Sequence, residues 1–162
     1  MAENENKIDV EQQEGMMIHS QYIKDMSLEI PFAPEIFGEM NQNKNPNVNI
    51  DISMKSRSVD KDVYEVALTA KMDANLGEKK LFILEVTYAC VATVRVPEEH
   101  LEPILYIELP RLLFPYVRSI ISNSLSTAGL PPLLISPIDF VALYNAKKAK
   151  EAEKASDKKS DK

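Results

Sequence analysis

The chain of 162 residues has no tryptophan, one cysteine, two histidines and four glycines, and each shortage removes a class of function. The single cysteine, Cys90, cannot close an internal disulfide and fits a reducing compartment. Set in an apolar strand sequence, it reads as a small core residue rather than a nucleophile or redox sensor. His19 and His100 both fall among polar neighbours and read as surface residues, so with one cysteine they make no zinc site. Four glycines leave little material for a phosphate cradle, and no Walker loop, GxGxxG or GxSxG occurs. No nucleophile with its base, no poised acid–base pair and no metal set can be named, so neither an enzyme nor a cofactor is expected. No apolar run approaches a membrane span, and residues 1–15 lack the basic and apolar regions of a secretory signal. A cytoplasmic protein without direct membrane insertion is expected.

What is present is an uneven charge. The net charge is −6, yet residues 147–162 hold seven lysines against Glu151, Glu153, Asp157 and Asp161, which leaves −9 on residues 1–146. An acidic body repels phosphate backbones, so no nucleic acid is expected as partner, while a basic tail could meet an acidic one. Residues 1–15 are polar and expected to be disordered, residues 16–146 form one domain, and residues 147–162 form a Lys-rich tail, flexible or partly helical. A domain of this size buries roughly 70% of its unfolded surface, enough for a core without staples.

Alternation of apolar and polar residues predicts four strands. The first runs from Ile18 to Ile30, with Ile18, Tyr22, Met26 and Leu28 on one face and His19, Gln21, Asp25 and Glu29 on the other; Ile23 is the exception on the polar side. A short helical turn over 34–40 carries Ile36, Phe37 and Met40. The second strand sets Val48, Ile50, Ile52 and Met54 against Asn49, Asp51, Ser53 and Lys55. A polar turn over 56–62 follows, and the third strand sets Val66, Leu68, Ala70 and Met72 against Glu65, Lys71 and Asp73. Asn75-Leu76-Gly77 supplies turn chemistry before a fourth strand over 80–96. Its even face, from Phe82, Leu84, Val86 and Tyr88 to Val96, is apolar throughout. Short turns between the strands suggest an antiparallel meander with helices on one side, an α+β fold. Its odd face would then be a broad acidic surface of Asp25, Glu29, Asp51, Glu65, Asp73 and Glu85.

Pro97-Glu98-Glu99 reads as a helix start, and the main helix is expected over about 110–128, with Leu113, Val117, Ile120, Ile121 and Leu125 at helical spacing. Gly129 and Pro131-Pro132 stop it. Ser136 as N-cap and Pro137 at the first position then open a last helix bearing Phe140, Leu143 and Tyr144. Between the two lies Leu130-Pro131-Pro132-Leu133-Leu134-Ile135, a connection by its prolines but apolar by its side chains. Such a loop must be covered or must bind something. Apolar surface exceeds what two helices can cover in one chain, which points to oligomerisation or to a partner.

The stretch Leu113-Phe114-Pro115-Tyr116-Val117-Arg118, then Leu130-Pro131-Pro132-Leu133-Leu134-Ile135-Ser136-Pro137-Ile138-Asp139-Phe140 and Ala142-Leu143-Tyr144, closely resembles the SecB protein-export chaperone family. So do Tyr22 to Glu29, Val63-Tyr64-Glu65-Val66 and Phe82-Ile83-Leu84-Glu85-Val86, in the expected order. The resemblance implies an ATP-independent chaperone that holds unfolded preproteins and passes them to the SecA motor of the translocase. It also implies a homotetramer, a dimer of dimers. SecA would dock on Asp25, Glu29, Ile83 and Glu85. Clients would lie in apolar grooves lined by Phe82 and Tyr144, with Phe37, Met40, Leu133, Ile135 and Phe140 as neighbours. Leu84, Val86, Tyr88, Val117, Ile120 and Ile121 would serve assembly. This chain departs from relatives with a tryptophan near Met40 and from their acidic or amide-rich tails. Two other readings are a SecB-like chaperone dedicated to one partner, such as an antitoxin, and an enzyme that uses the groove.

Overall fold

The computed structural model describes residues 15–42 and 45–160. The expected disorder of residues 1–15 lies outside them, except that Gly15 already opens the first strand; Asp161 and Lys162 of the tail also lie outside. Four strands, β1 (Gly15–Glu29), β2 (Asn47–Asp60), β3 (Val63–Leu76) and β4 (Lys79–Arg95), form one antiparallel sheet in the order β1-β4-β3-β2. The expected meander therefore holds only for β2-β3-β4. β1 pairs with the far side of β4, because a chain that leaves β1 through the short helix α1 (Glu35–Met40) and residues 41–46 is long enough to cross the sheet. The result is a Greek key. Gly77, at φ +62°, and Glu78 close the β3–β4 hairpin. Asp62, at φ +57°, does the same after β2, which runs on to Asp60 where a longer polar turn was expected.

Register explains the exception at Ile23. In β1, Ile18 pairs with Ala92 and Ser20 with Val91, then Ile23 with Tyr88 and Asp25 with Thr87, so His19 and Lys24 are each one residue in excess. Two such bulges invert the facing of the residues between them. Ile23 thus points to the apolar side with Tyr88, and Tyr22 points outward, the reverse of the strict alternation expected from sequence.

After β4 a helical rod covers the apolar side: α2 (Glu98–Pro103), a π-helical turn (Ile104–Glu108) and α3 (Leu109–Thr127). The π turn sits between Pro103 and Pro110, neither of which has an N–H to offer the regular ladder. Leu109, Leu113, Val117, Ile121 and Leu125 recur every fourth residue and are fully buried against β3 and β4. Beneath them lie Val66, Leu68 and Met72 with Leu84 and Val86, and Ala70, Ala74 and Ala92 keep the helix close to the sheet. Each large side chain so buried contributes roughly 1.5–3 kcal/mol. The last helix, α4 (Phe140–Ser160), runs on through most of the Lys-rich tail. Its first turn is capped by Asp139, whose carboxylate accepts from the Ala142 N–H at 3.0 Å, rather than by Ser136.

Candidate functional sites

The outward face of the sheet brings Asp25, Glu29, Ile83 and Glu85 together. Glu29 pairs with Ile83, Ser27 with Glu85 and Asp25 with Thr87 across the β1–β4 ladder, so the four share one end of one face. Ile83 is 41% exposed, an apolar side chain among carboxylates. Among the described residues Asp25 and Glu29 take part in no ion pair, while Glu85 meets Lys71 at 3.3 Å.

The rest of that face is not the broad acidic surface expected. Lys80 lies 2.6 Å from Asp73 and holds its carboxyl below the usual range. Glu65, expected to project freely, is only 4% exposed. It accepts from Lys24 at 2.8 and 2.9 Å, from the Tyr22 hydroxyl and from Arg57. The Lys24 and Tyr22 hydrogen bonds lower its carboxyl to about 2, and the Tyr22 hydroxyl, donating to that carboxylate, is pushed up to about 12. The bulge at Lys24 aims both donors at Glu65. Ile23 breaking the alternation beside Lys24 was its one trace in the sequence.

The opposite face holds the apolar sites. A cavity of about 220 Å³ lies between α1, the ends of the strands and the residue 128–135 loop, with Met40, Val48, Phe82, Leu125 and Leu133 in its wall. The loop is both covered and open: Leu130 and Ile135 are buried, Leu133 is half-buried and Leu134 is 75% exposed. It leaves α3 through Gly129 at φ +82°, with the Phe37 ring packed beside it. Met40, Phe82 and Leu133 thus share one cavity, with Phe37 at its edge. Phe140 is buried edge-on to Phe114, with ring centres 5.8 Å apart.

Tyr144 stands elsewhere. It stacks on Tyr106 at 6.1 Å and donates to Glu102 at 2.6 Å, a carboxylate also held by Lys148 at 2.7 Å. Those two hydrogen bonds keep the Glu102 carboxyl below its ordinary value. Beside α4 a second cleft, about 350 Å³, is floored by Ile52, Met54, Leu143 and Ala146 and rimmed by Lys147 and Lys150. The inner face of β2 joins the two spaces through Val48, Ile50, Ile52 and Met54, with Ile50 42% exposed. That strip spans about 20 Å at the usual strand rise.

Of the residues expected to serve assembly, Leu84, Val86, Val117 and Ile121 are sealed inside this one chain, whereas Tyr88 and Ile120 are half-buried. Tyr88 stacks on Tyr116 at 5.5 Å. Around that pair the inner face of β1 is bare: Met16, Ile23 and Met26 are exposed there, as are Leu112 and Tyr116 on α3. Cys90 is buried, and burial pushes its thiol up to about 11. Among the described residues no group of three or more His, Cys, Asp or Glu could hold a metal ion, and no helix is long and apolar enough to cross a membrane.

Comparison with known proteins gives the family of the chain. The SecB-like chaperone of Mycobacterium tuberculosis, solved in complex with a ChAD peptide from an antitoxin, has the same fold at a TM-score of 0.62 and 12% identity, over 76% of this chain and 90% of its own. The Protein-export protein SecB of Paramagnetospirillum magneticum is 49% identical over 83% of this chain and 86% of its own length. That of Rhodospirillum rubrum is 39% identical over 82% and 81%. Residues 9–151 match the family described as preprotein translocase subunit SecB. Matched in sequence over residues 9–151 and sharing its four-stranded Greek-key sheet under one helical rod with a SecB-like chaperone, this protein belongs to the SecB family.

Proposed function

We propose that this chain works as a protein-export chaperone by holding unfolded preproteins along the inner face of β2 and delivering them to SecA at the Asp25–Glu29–Ile83–Glu85 patch. The observation that carries the client half is the apolar strip of Val48, Ile50 and Ile52, with Ile50 exposed and the other two half-buried, running between two clefts. A long shallow apolar strip binds many sequences weakly at many points, so affinity accumulates by multivalency rather than by one fit. A folded protein has no free apolar segment to offer. Phe37, Met40, Phe82 and Leu133 would receive bulky side chains at one end; Tyr144 would flank the groove, and Ile135 and Phe140, both buried, would back it from within. Release requires no nucleotide in this scheme, because each contact is weak by itself.

The acidic patch lies across the sheet from the strip, so a motor could engage a loaded chaperone. Its charges steer a basic partner and Ile83 supplies apolar contact. The bare inner face of β1, with Tyr88, Tyr116 and Ile120, supports assembly into a homotetramer, since apolar exposure of that extent is otherwise a liability in water. Such a chaperone would act in the cytoplasm, where preproteins are made.

The test is refolding of a mature-region preprotein with stoichiometric chaperone. Slowed refolding, relieved by Ile50→Asp and Leu134→Asp at these exposed positions, is expected. Undiminished refolding with the wild-type protein would sink the chaperone reading. The dedicated-partner alternative has no comparable support here, because the relatives similar in sequence are export proteins.

A further inference from the structure

The outward face of the sheet is divided by charge along its strands. Toward Glu29 lie Asp25, Asp51, Asp73 and Glu85, with Lys71 and Lys80 paired among them, so carboxylates outnumber cations there. Toward the other end, Lys24, Lys55 and Arg57 stand with Glu65 around one concavity of about 460 Å³. Lys24 and Arg57 both close on Glu65 yet remain 44% and 63% exposed. Lys55 has neither ion pair nor side-chain hydrogen bond among the described residues. With Lys71, which pairs with Glu85 on its rim, four cations face two carboxylates, a local excess of positive charge on a body that is otherwise acidic. Between the two ends the floor is made of short side chains, Ala67, Thr69 and Thr87, low enough for an extended backbone to lie across them.

We propose that this concavity receives an acidic extended segment of the same protein that docks on Asp25, Glu29, Ile83 and Glu85, with its carboxylates ending on Lys24, Lys55 and Arg57. The proposal rests on the docking reading above. Two observations select the occupant. Glu85 and Thr87 line the concavity and also border the acidic patch, so a partner seated on one is already at the mouth of the other. A nucleic acid would fit poorly, because a uniform run of phosphates leaving Lys55 meets Asp51 and Glu85 within a few residues. A protein segment can change sign along its length, as this face does. Joining two modest contacts on one partner raises affinity through effective concentration, and the charged half is sensitive to salt.

Lys55→Glu is the variant of choice, because the side chain it replaces holds nothing together inside the chain. Binding of SecA to the full-length protein would be measured by calorimetry at low and high salt, beside binding of a labelled polyglutamate peptide. At low salt, SecA binding about fivefold to tenfold weaker is expected, with the difference shrinking at high salt and polyglutamate binding lost. Unchanged SecA affinity in Lys55→Glu, with a clear loss in Glu85→Lys, overturns the proposal and leaves the docking reading standing. If neither variant weakens SecA, both readings fail together. Residues 1–14 carry five carboxylates and one lysine. Should their removal strengthen polyglutamate binding to the wild type but not to Lys55→Glu, the occupant is the chain's own terminus and the proposed one is wrong. Preference for a single-stranded oligonucleotide over polyglutamate would overturn it as well.

Discussion

β4 and β1 lie side by side with apolar inner faces, and they meet different fates. The inner face of β4 is sealed by α3: Leu84 and Val86 are 1% and 0% exposed. The inner face of β1, one strand away, meets the end of α3 only near Leu28, and Ile23 and Met26 remain 50% and 36% exposed. The same hydrophobic pattern therefore carries two instructions. Where a helix of the same chain reaches, it builds the protomer core; where none reaches, it leaves a surface fit for another copy.

The largest effect should come from the sealed side. Leu84→Glu puts a charge under α3 with no partner, at a cost of about 4 kcal/mol or more, and a urea melt should show loss of the fold itself rather than a change of assembly. A folded Leu84→Glu protein would break the contrast. Met26→Glu on the bare side should leave the far-UV spectrum intact and reduce the mass in solution by light scattering. Unchanged mass would mean that the bare face is not an interface between copies.

On the outward side the two strands act together. Glu85→Lys should weaken SecA binding about tenfold, equivalent to about 1.4 kcal/mol, with client binding retained. An equal loss of both would mean that the faces are misassigned. The smallest effect concerns Glu65. Its carboxyl titrates at about 2 in the fold against 4.5 ordinarily. The stability it contributes is thus full above about pH 4.5 and lost as pH falls toward 2. Glu65→Gln should cost about 1 kcal/mol near neutrality, since Lys24 and Arg57 can return to water, and acid titration followed by circular dichroism should show a shallower loss over that window. An unaltered acid profile would show that Glu65 does not anchor the bulge.

Much of this was legible in the sequence because burial and alternation are local. The even faces of β2 to β4, the stop at Gly129 and the sharing of one outward face by Asp25, Glu29, Ile83 and Glu85 all follow from a period of two or from proline and glycine chemistry. Strand order was not legible, since nothing local tells β1 to cross the sheet and join β4. Nor was the fate of Glu65, which depends on donors from two other strands, Tyr22 and Lys24 on one and Arg57 on the other. The family resemblance points to Tyr144, but its tie to Glu102 and Tyr106 spans a tertiary contact that no spacing reveals. Ser136 before Pro137 is a good helix start by composition, yet the cap is Asp139, whose carboxylate accepts from the Ala142 N–H.

His19 and Lys24 in β1 have a consequence for how this chain can change in length. Each is surplus to the ladder, so losing either one would leave every remaining rung of β1 matched to β4 as it is now. Losing a residue where no surplus lies beside it would instead turn the strand beyond that point over, apolar side out. The π turn at 104–108 poses the same problem in a helix, where one residue more or less rotates everything after it by about 100°. Single-residue deletions in β1 should therefore keep the register beside the two bulges and lose it elsewhere in the strand, with Lys24 carrying the added loss of its hydrogen bonds to Glu65.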